Sequence, residues 1–202
     1  EQLGQVEKDE KHVVWNREEL ATNEPHVLSD HLYGALVYPE YTTDDARLTL
    51  ANARSAKDHG AVVLNYARVE EIIIEDGAAC GAVVRDTAPG GSLGARVRAK
   101  LVVNATGPWL DVLRRLEDPG MQSKLQLTKG IHVTLKRERL PIAHTVIMST
   151  RDKRSVFVVP RGAFVYFGTT DTFYPGVEYW PEITGEDVAY LLDCGNRTFD
   201  CG

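Results

Sequence analysis

Cysteine is scarce in these 202 residues. Cys80, Cys194 and Cys201 are widely spaced, odd in number, and stand in no Cys-x-x-Cys or histidine pairing, so the pattern offers no zinc site and no metal is expected. Reduced thiols in a cytoplasmic setting are the simplest expectation. No apolar run approaches the roughly 18 residues of a membrane span, and no basic-then-apolar leader opens the sequence. Basic residues form no stripe with interleaved aromatics, and the formal net charge is -6, which argues against a nucleic-acid partner. The densest basic cluster, Lys136, Arg137 and Arg139, reads as a solvated turn. There is no internal repeat and no low-complexity tract. What remains is a chain of 43% hydrophobic content, long enough for one large domain or two small ones. It opens at Glu1 without a methionine and closes at Gly202 soon after a helix has begun, so it reads as an internal fragment of a longer protein.

The stretch from Lys100 to Trp109 organises the rest. Leu101 to Val103 is a continuous apolar run with β-branched residues, and it predicts a strand buried on both faces. Ala105, Thr106 and Gly107 then carry little side-chain bulk, so a flat ligand could lie against their backbone. Pro108 suits the first turn of a helix running to Glu117, with Leu110, Leu113 and Leu116 on one side. A strand that turns sharply into a helix N-terminus aims unpaired amides and partial positive charge at one point, which suits a cofactor phosphate or polar ring edge. An ordinary β-to-α turn would look the same locally.

Residues 1 to 42 read as irregular, with a short helix starting at Asn16 to Leu20 and a break at Pro25. Tyr41 could line a ligand pocket, but is expected as buried bulk. Thr42 or Thr43 can cap a helix from about Asp44 to His59, whose alanines permit docking on a sheet, and Ala61 to Leu64 follows as a buried strand. Val69 to Ile74 and Cys80 to Arg85, joined at Asp76-Gly77, predict a hairpin; Ala95 to Arg98 adds a third antiparallel strand. Beyond Pro119 the pattern turns antiparallel, with strands at Leu127 to Leu135, Thr145 to Met148, Ser155 to Val159 and Phe164 to Thr169. Thr184-Gly185-Glu186-Asp187 reads as a capping box opening a helix through Leu192.

Four passages in this order are specific. They are Asp44-Asp45-Ala46-Arg47-Leu48 with Ala51-Asn52-Ala53, Val103-Asn104-Ala105-Thr106-Gly107-Pro108-Trp109, Lys129-Gly130-Ile131-His132-Val133, and Phe167-Gly168-Thr169-Thr170-Asp171. From about Tyr41 to Phe199 the chain resembles the middle of the FAD-dependent glycerol-3-phosphate dehydrogenases. The resemblance implies an α/β plus α+β fold: part of a two-dinucleotide-binding-type flavoprotein with a β-meander insertion, followed by a mostly antiparallel β substrate domain. The expected division is 1–120 for a partial FAD-binding domain and 121–202 for a partial substrate-binding domain. It also implies FAD as hydride acceptor, glycerol 3-phosphate as substrate, a quinone or other electron acceptor, and a cytoplasmic or peripheral place on the cytoplasmic membrane. No Gly-x-Gly-x-x-Gly follows a strand, so the family's pyrophosphate clamp is missing here. The isolated chain is therefore expected to be inactive and colourless. An amine or amino-acid oxidase of the same fold, or a non-catalytic structural piece, is the alternative reading.

In Thr128 to Leu135, period-two alternation sets Ile131, Val133 and Leu135 on one face and His132 on the other. By the resemblance, His132 is a substrate-pocket residue able to hydrogen-bond the C2 hydroxyl or take its proton; a strand histidine on the surface would follow the same pattern. Asp171 ends a small-residue run and could orient a hydroxyl or a histidine, or merely cap a turn. Thr170 is a further pocket candidate. Lys129, on the face opposite His132, is read as a solvent-facing or structural residue in preference to a phosphate ligand. On the cofactor side, Ala105, Thr106, Gly107 and Pro108 are candidates for backbone contact with flavin. Val69, or its neighbours Ala67 and Arg68, resembles the stretch where the family meets adenine.

Overall fold

The protein is represented by a computed structural model that describes residues 11–200; Cys201 and both chain ends lie outside the described residues. In chain order the elements are β1 (Val13–Asn16), α1 (Arg17–Asn23), β2 (Gly34–Val37), α2 (Asp45–Asp58), β3 (Ala67–Glu75), β4 (Ala78–Asp86), β5 (Gly94–Arg98), α3 (Leu110–Glu117), β6 (Thr128–Lys129), β7 (His132–Lys136), β8 (Val146–Ser149), β9 (Ser155–Arg161), β10 (Phe164–Gly168), β11 (Thr172–Phe173) and α4 (Gly185–Thr198). Every strand pair among the described residues is antiparallel. They divide into two compact units, one reaching to Tyr41 and resuming at Leu127, the other running from Thr42 to Gln126. The expected divide near residue 120 thus falls close to a unit boundary, whereas the N-terminal segment groups with the C-terminal portion.

The first unit is built on the four-stranded sheet β7-β10-β9-β8. Alternation along these strands buries Met148, Val156, Val158, Val165 and Phe167, and α4 covers that face with Leu191 and Cys194. Thr184 and Asp187 form the capping box expected at the start of α4, and the helix runs on to Thr198. The N-terminal segment is not irregular: β1 and β2 pair in register from Val13↔Val37 to Asn16↔Gly34, and Asn16 caps α1 in a capping box with Glu19. The pairing was hidden because its two short strands lie on either side of a helix and a loop. Leu20, Val27 and Phe199 join the core. Glu24 is buried and accepts hydrogen bonds from the amides of Ala143 and His144 and from Nδ1 of His144, at 3.0 and 2.7 Å for Ala143 and Nδ1. Tyr41, expected inside, is 82% exposed. Arg137–Arg139 form a short 3-10 turn, as expected of that basic cluster.

In the second unit, β3, β4 and β5 form the expected meander, turning at Asp76 and Gly77 with φ of 50° and 76°. Both positive values suit the Asp-Gly turn of a two-residue hairpin. Helix α3 packs against β3. Two expectations fail here. Leu101 to Val103 and Ala61 to Leu64 form no strand, and Leu101 and Val62 are 76% and 85% exposed. A strand exists through its ladder, and no described strand lies beside either segment. Among the described residues no sheet covers α2, which buries none of its residues. Its cap is Asp44, whose carboxylate accepts from the Arg47 amide at 3.1 Å, rather than Thr42 or Thr43.

Candidate active site

His132 opens β7, directly across from Gly168 at the end of β10. Ile131, Val133 and Leu135 turn inward and His132 and Thr134 outward, as alternation requires. A Cβ on Gly168 would come within 2.6 Å of Cδ2 of His132 and 2.7 Å of the Ile131 carbonyl, so only glycine lets the imidazole lie across that strand end. The ring also meets Tyr166 edge to face, with centroids 5.7 Å apart. Phe157, Ile147 and Phe164 stand exposed on the outward side of the same sheet, so His132 sits on an open, largely apolar face.

Thr170 is 3% exposed, and its Oγ accepts from the Ile131 amide at 3.0 Å. It fastens the backbone next to His132. Thr169 Oγ donates to the Thr170 carbonyl. The expected strand from Leu127 to Leu135 is interrupted at Gly130, where a Cβ would fall 2.0 Å from Thr169 Oγ and 2.6 Å from the Thr170 carbonyl; β6 then pairs with β11 and β7 with β10. Asp171 is exposed, just before β11. Arg154 donates from Nη1 to the Asp171 carbonyl. His132, Thr170 and Asp171 are therefore brought to one end of one sheet.

Lys129 takes the structural role expected of it. Its ammonium lies 2.7 Å from Asp187 and 2.6 Å from the Glu182 carbonyl, with both charged side chains almost wholly buried. The ion pair, with the Thr184 amide beside it, holds the Asp187 carboxyl down at about 2.

On the cofactor side, Ala105 to Pro108 are all exposed, and Gly107 has φ of +55°, with nothing within 4 Å of where its Cβ would be. A run of small residues with open backbone at a helix start fits a flat ring laid on the main chain. Asn104 shapes the turn: Oδ1 accepts from Thr106 Oγ at 2.7 Å and Nδ2 donates to the Leu110 carbonyl at 3.1 Å, tying the turn to α3. Its place within the motif was visible, but its bracing role was not. Val69 lies in β3, half-buried, beside a bulge at Glu70, whose carboxyl is held below the ordinary carboxylate range first by Arg85 and then by Arg68.

Among the described residues no cluster of three His, Cys, Asp or Glu side chains could hold a metal ion, and no helix is long and apolar enough to cross a membrane. Cys80 and Cys194 are free, and burial pushes the Cys194 thiol up.

The sequence matches the family described as FAD dependent oxidoreductase across residues 1–200. The chain belongs to that family. It is 39% identical over 197 residues to the aerobic glycerol-3-phosphate dehydrogenase of Bacillus subtilis, covering 98% of this chain and 35% of the relative. It is 37% identical over 190 residues to an alpha-glycerophosphate oxidase of Streptococcus pyogenes, covering 92% of this chain and 31% of that protein. The chain thus spans about a third of the length of these relatives. The solved glycerol-3-phosphate dehydrogenase of Bacillus halodurans, complexed with FAD, superposes with a TM-score of 0.85 at 38% identity, over 92% of this chain and 37% of that one. A glycine oxidase of Bacillus cereus aligns with a TM-score of 0.59 at 19% identity over 95% of this chain and 48% of that one, a likeness of fold alone. The fold is that of a FAD-dependent oxidoreductase with mixed helices and antiparallel sheets.

Proposed function

We propose that this chain is the middle of a flavoenzyme that oxidises sn-glycerol 3-phosphate to dihydroxyacetone phosphate. The observation that carries the reading is His132 on an open sheet face against Gly168, in a chain whose relatives are named for glycerol phosphate oxidation. We assign the cofactor side to the portion from Thr42 to about residue 120 and the substrate side to the portion beyond it, with which the segment ending at Tyr41 is grouped. Ala105, Thr106, Gly107 and Pro108 would hold the flavin ring through main-chain groups, and Val69 the adenine end. FAD, when bound, supplies the hydride acceptor for the C2 carbon.

The chain's own part is to position the substrate and move one proton. An imidazole nitrogen of His132 accepts the C2 hydroxyl proton as the carbonyl forms, and Asp171 orients the hydroxyl or the ring. Thr170 keeps His132 in place through the Ile131 amide. Phe157 and Ile147 give that open face an apolar character around His132. We further assign a quinone as the final electron acceptor and a peripheral contact with the membrane, both on family resemblance.

The test is bleaching of the visible flavin band by glycerol 3-phosphate in the full-length, FAD-loaded protein. His132→Asn is expected to slow the reductive step by about 10² to 10⁴. Unchanged bleaching in that variant would remove His132 from the chemistry, and an unreactive wild-type flavin would remove the substrate.

A further inference from the structure

The backbone from Thr169 to Asp171 belongs to no strand, although it carries two of the three residues assigned to the substrate side. Thr170 Oγ secures its first half through the Ile131 amide. The second half is gripped from outside by Arg154, which donates to the Asp171 carbonyl across 17 residues of sequence. Arg154 is aimed in its turn. Its Nε lies 3.0 Å from Asp152, which also accepts from Thr150 Oγ at 2.5 Å and from the Tyr190 hydroxyl of α4 at 2.8 Å. The Arg154 amide donates to Thr150 Oγ, closing the turn between β8 and β9. A guanidinium fixed at one end by a carboxylate with three partners has few orientations left for the other.

We propose that Arg154, aimed by Asp152 and Tyr190, is a positioning residue that sets Asp171 and the Thr169–Thr170 backbone against His132. This rests on the oxidation reading given above. Arg154 touches neither substrate nor flavin in this role; it acts through the main chain of residue 171. The helix contributing Tyr190 thereby helps fix the reacting end of the sheet.

The experiment uses the full-length, FAD-loaded protein with Arg154→Ala and Tyr190→Phe. In Arg154→Ala, kcat/KM for glycerol 3-phosphate is expected to fall about tenfold to hundredfold, because small displacements of aligned groups are costly in rate. Millimolar guanidinium should restore most of the loss, which a general weakening of the fold would not permit. Tyr190→Phe, which removes one hydroxyl and is expected to fold, should lose about threefold to tenfold. Amide exchange over residues 169–173 should quicken in both variants and slow again in Arg154→Ala when guanidinium is added. Exchange that stays at the wild-type rate overturns the tether whatever the kinetics. A kinetic loss that guanidinium leaves untouched overturns the positioning role. A wild-type flavin that glycerol 3-phosphate fails to bleach overturns the activity reading and leaves the tether to be decided by exchange alone.

Discussion

The two units use the same kinds of residue to different ends. In the first, Val156 and Val158 of β9, Val165 of β10, Leu191 and Cys194 of α4 and Ile142 are removed from water almost completely. In the second, only Ile72 and Ile73 count as buried apolar side chains, while Val62, Leu64, Leu101 and Val103 stand open. Hydrophobic content does not separate them. The first has a sheet whose every inner strand has neighbours and whose inner face has a helix to cover it; the second has two apolar segments with no ladder beside them. An apolar run becomes a buried strand only where another strand is available to pair with it.

The largest expected effect tests the buried charge inside the well-packed unit. Lys129→Met strands Asp187 without its ammonium and should cost about 3 to 5 kcal/mol in urea unfolding. Next, Leu191→Ala should cost about 3 kcal/mol by opening a void under α4. Gly168→Ala should cost about 1 to 3 kcal/mol, since the new methyl displaces His132 or the Ile131 carbonyl, and the displaced ring should be visible as a shifted imidazole resonance. A pH titration gives a subtler contrast. The Asp187 carboxyl is lowered from 3.8 to about 2, so its stabilisation is complete above about pH 4 and is lost as pH falls towards 2. Lys129→Met should flatten that acid limb. Smallest of all, Leu101→Ala in the second unit should change the stability of this chain by no more than about 0.5 kcal/mol, because the side chain is already in water. A cost near that of Leu191→Ala would erase the distinction between the units.

Much of this could be read from residue order because it is local. The Asp76-Gly77 turn, the Thr184 capping box and the alternation that turns His132 outward each depend on residues within a few positions of one another. The site's bracing depends on distant pairs. Arg154 meets Asp171 across 17 residues, Tyr190 meets Asp152 across 38, and Lys129 meets Asp187 across 58. Periodicity carries no record of such partners. The misread strand at Leu101 has the same origin, since its pattern describes a buried strand correctly while saying nothing about whether a neighbour exists. The bond from the Ile131 amide to Thr170 Oγ is illegible for a simpler reason: a hydroxyl can serve a ligand or a main-chain amide, and composition does not choose between them.

The carboxylate of Glu24, gripping main-chain amides 119 and 120 positions downstream, has a bearing on how the polypeptide is made. During synthesis at about 5 to 20 residues per second, the leading piece must wait roughly 6 to 24 seconds for its other half to leave the ribosome. The stretch from Thr42 to Gln126 emerges uninterrupted in that interval. The host unit therefore cannot close until the whole of the segment that interrupts it has been made.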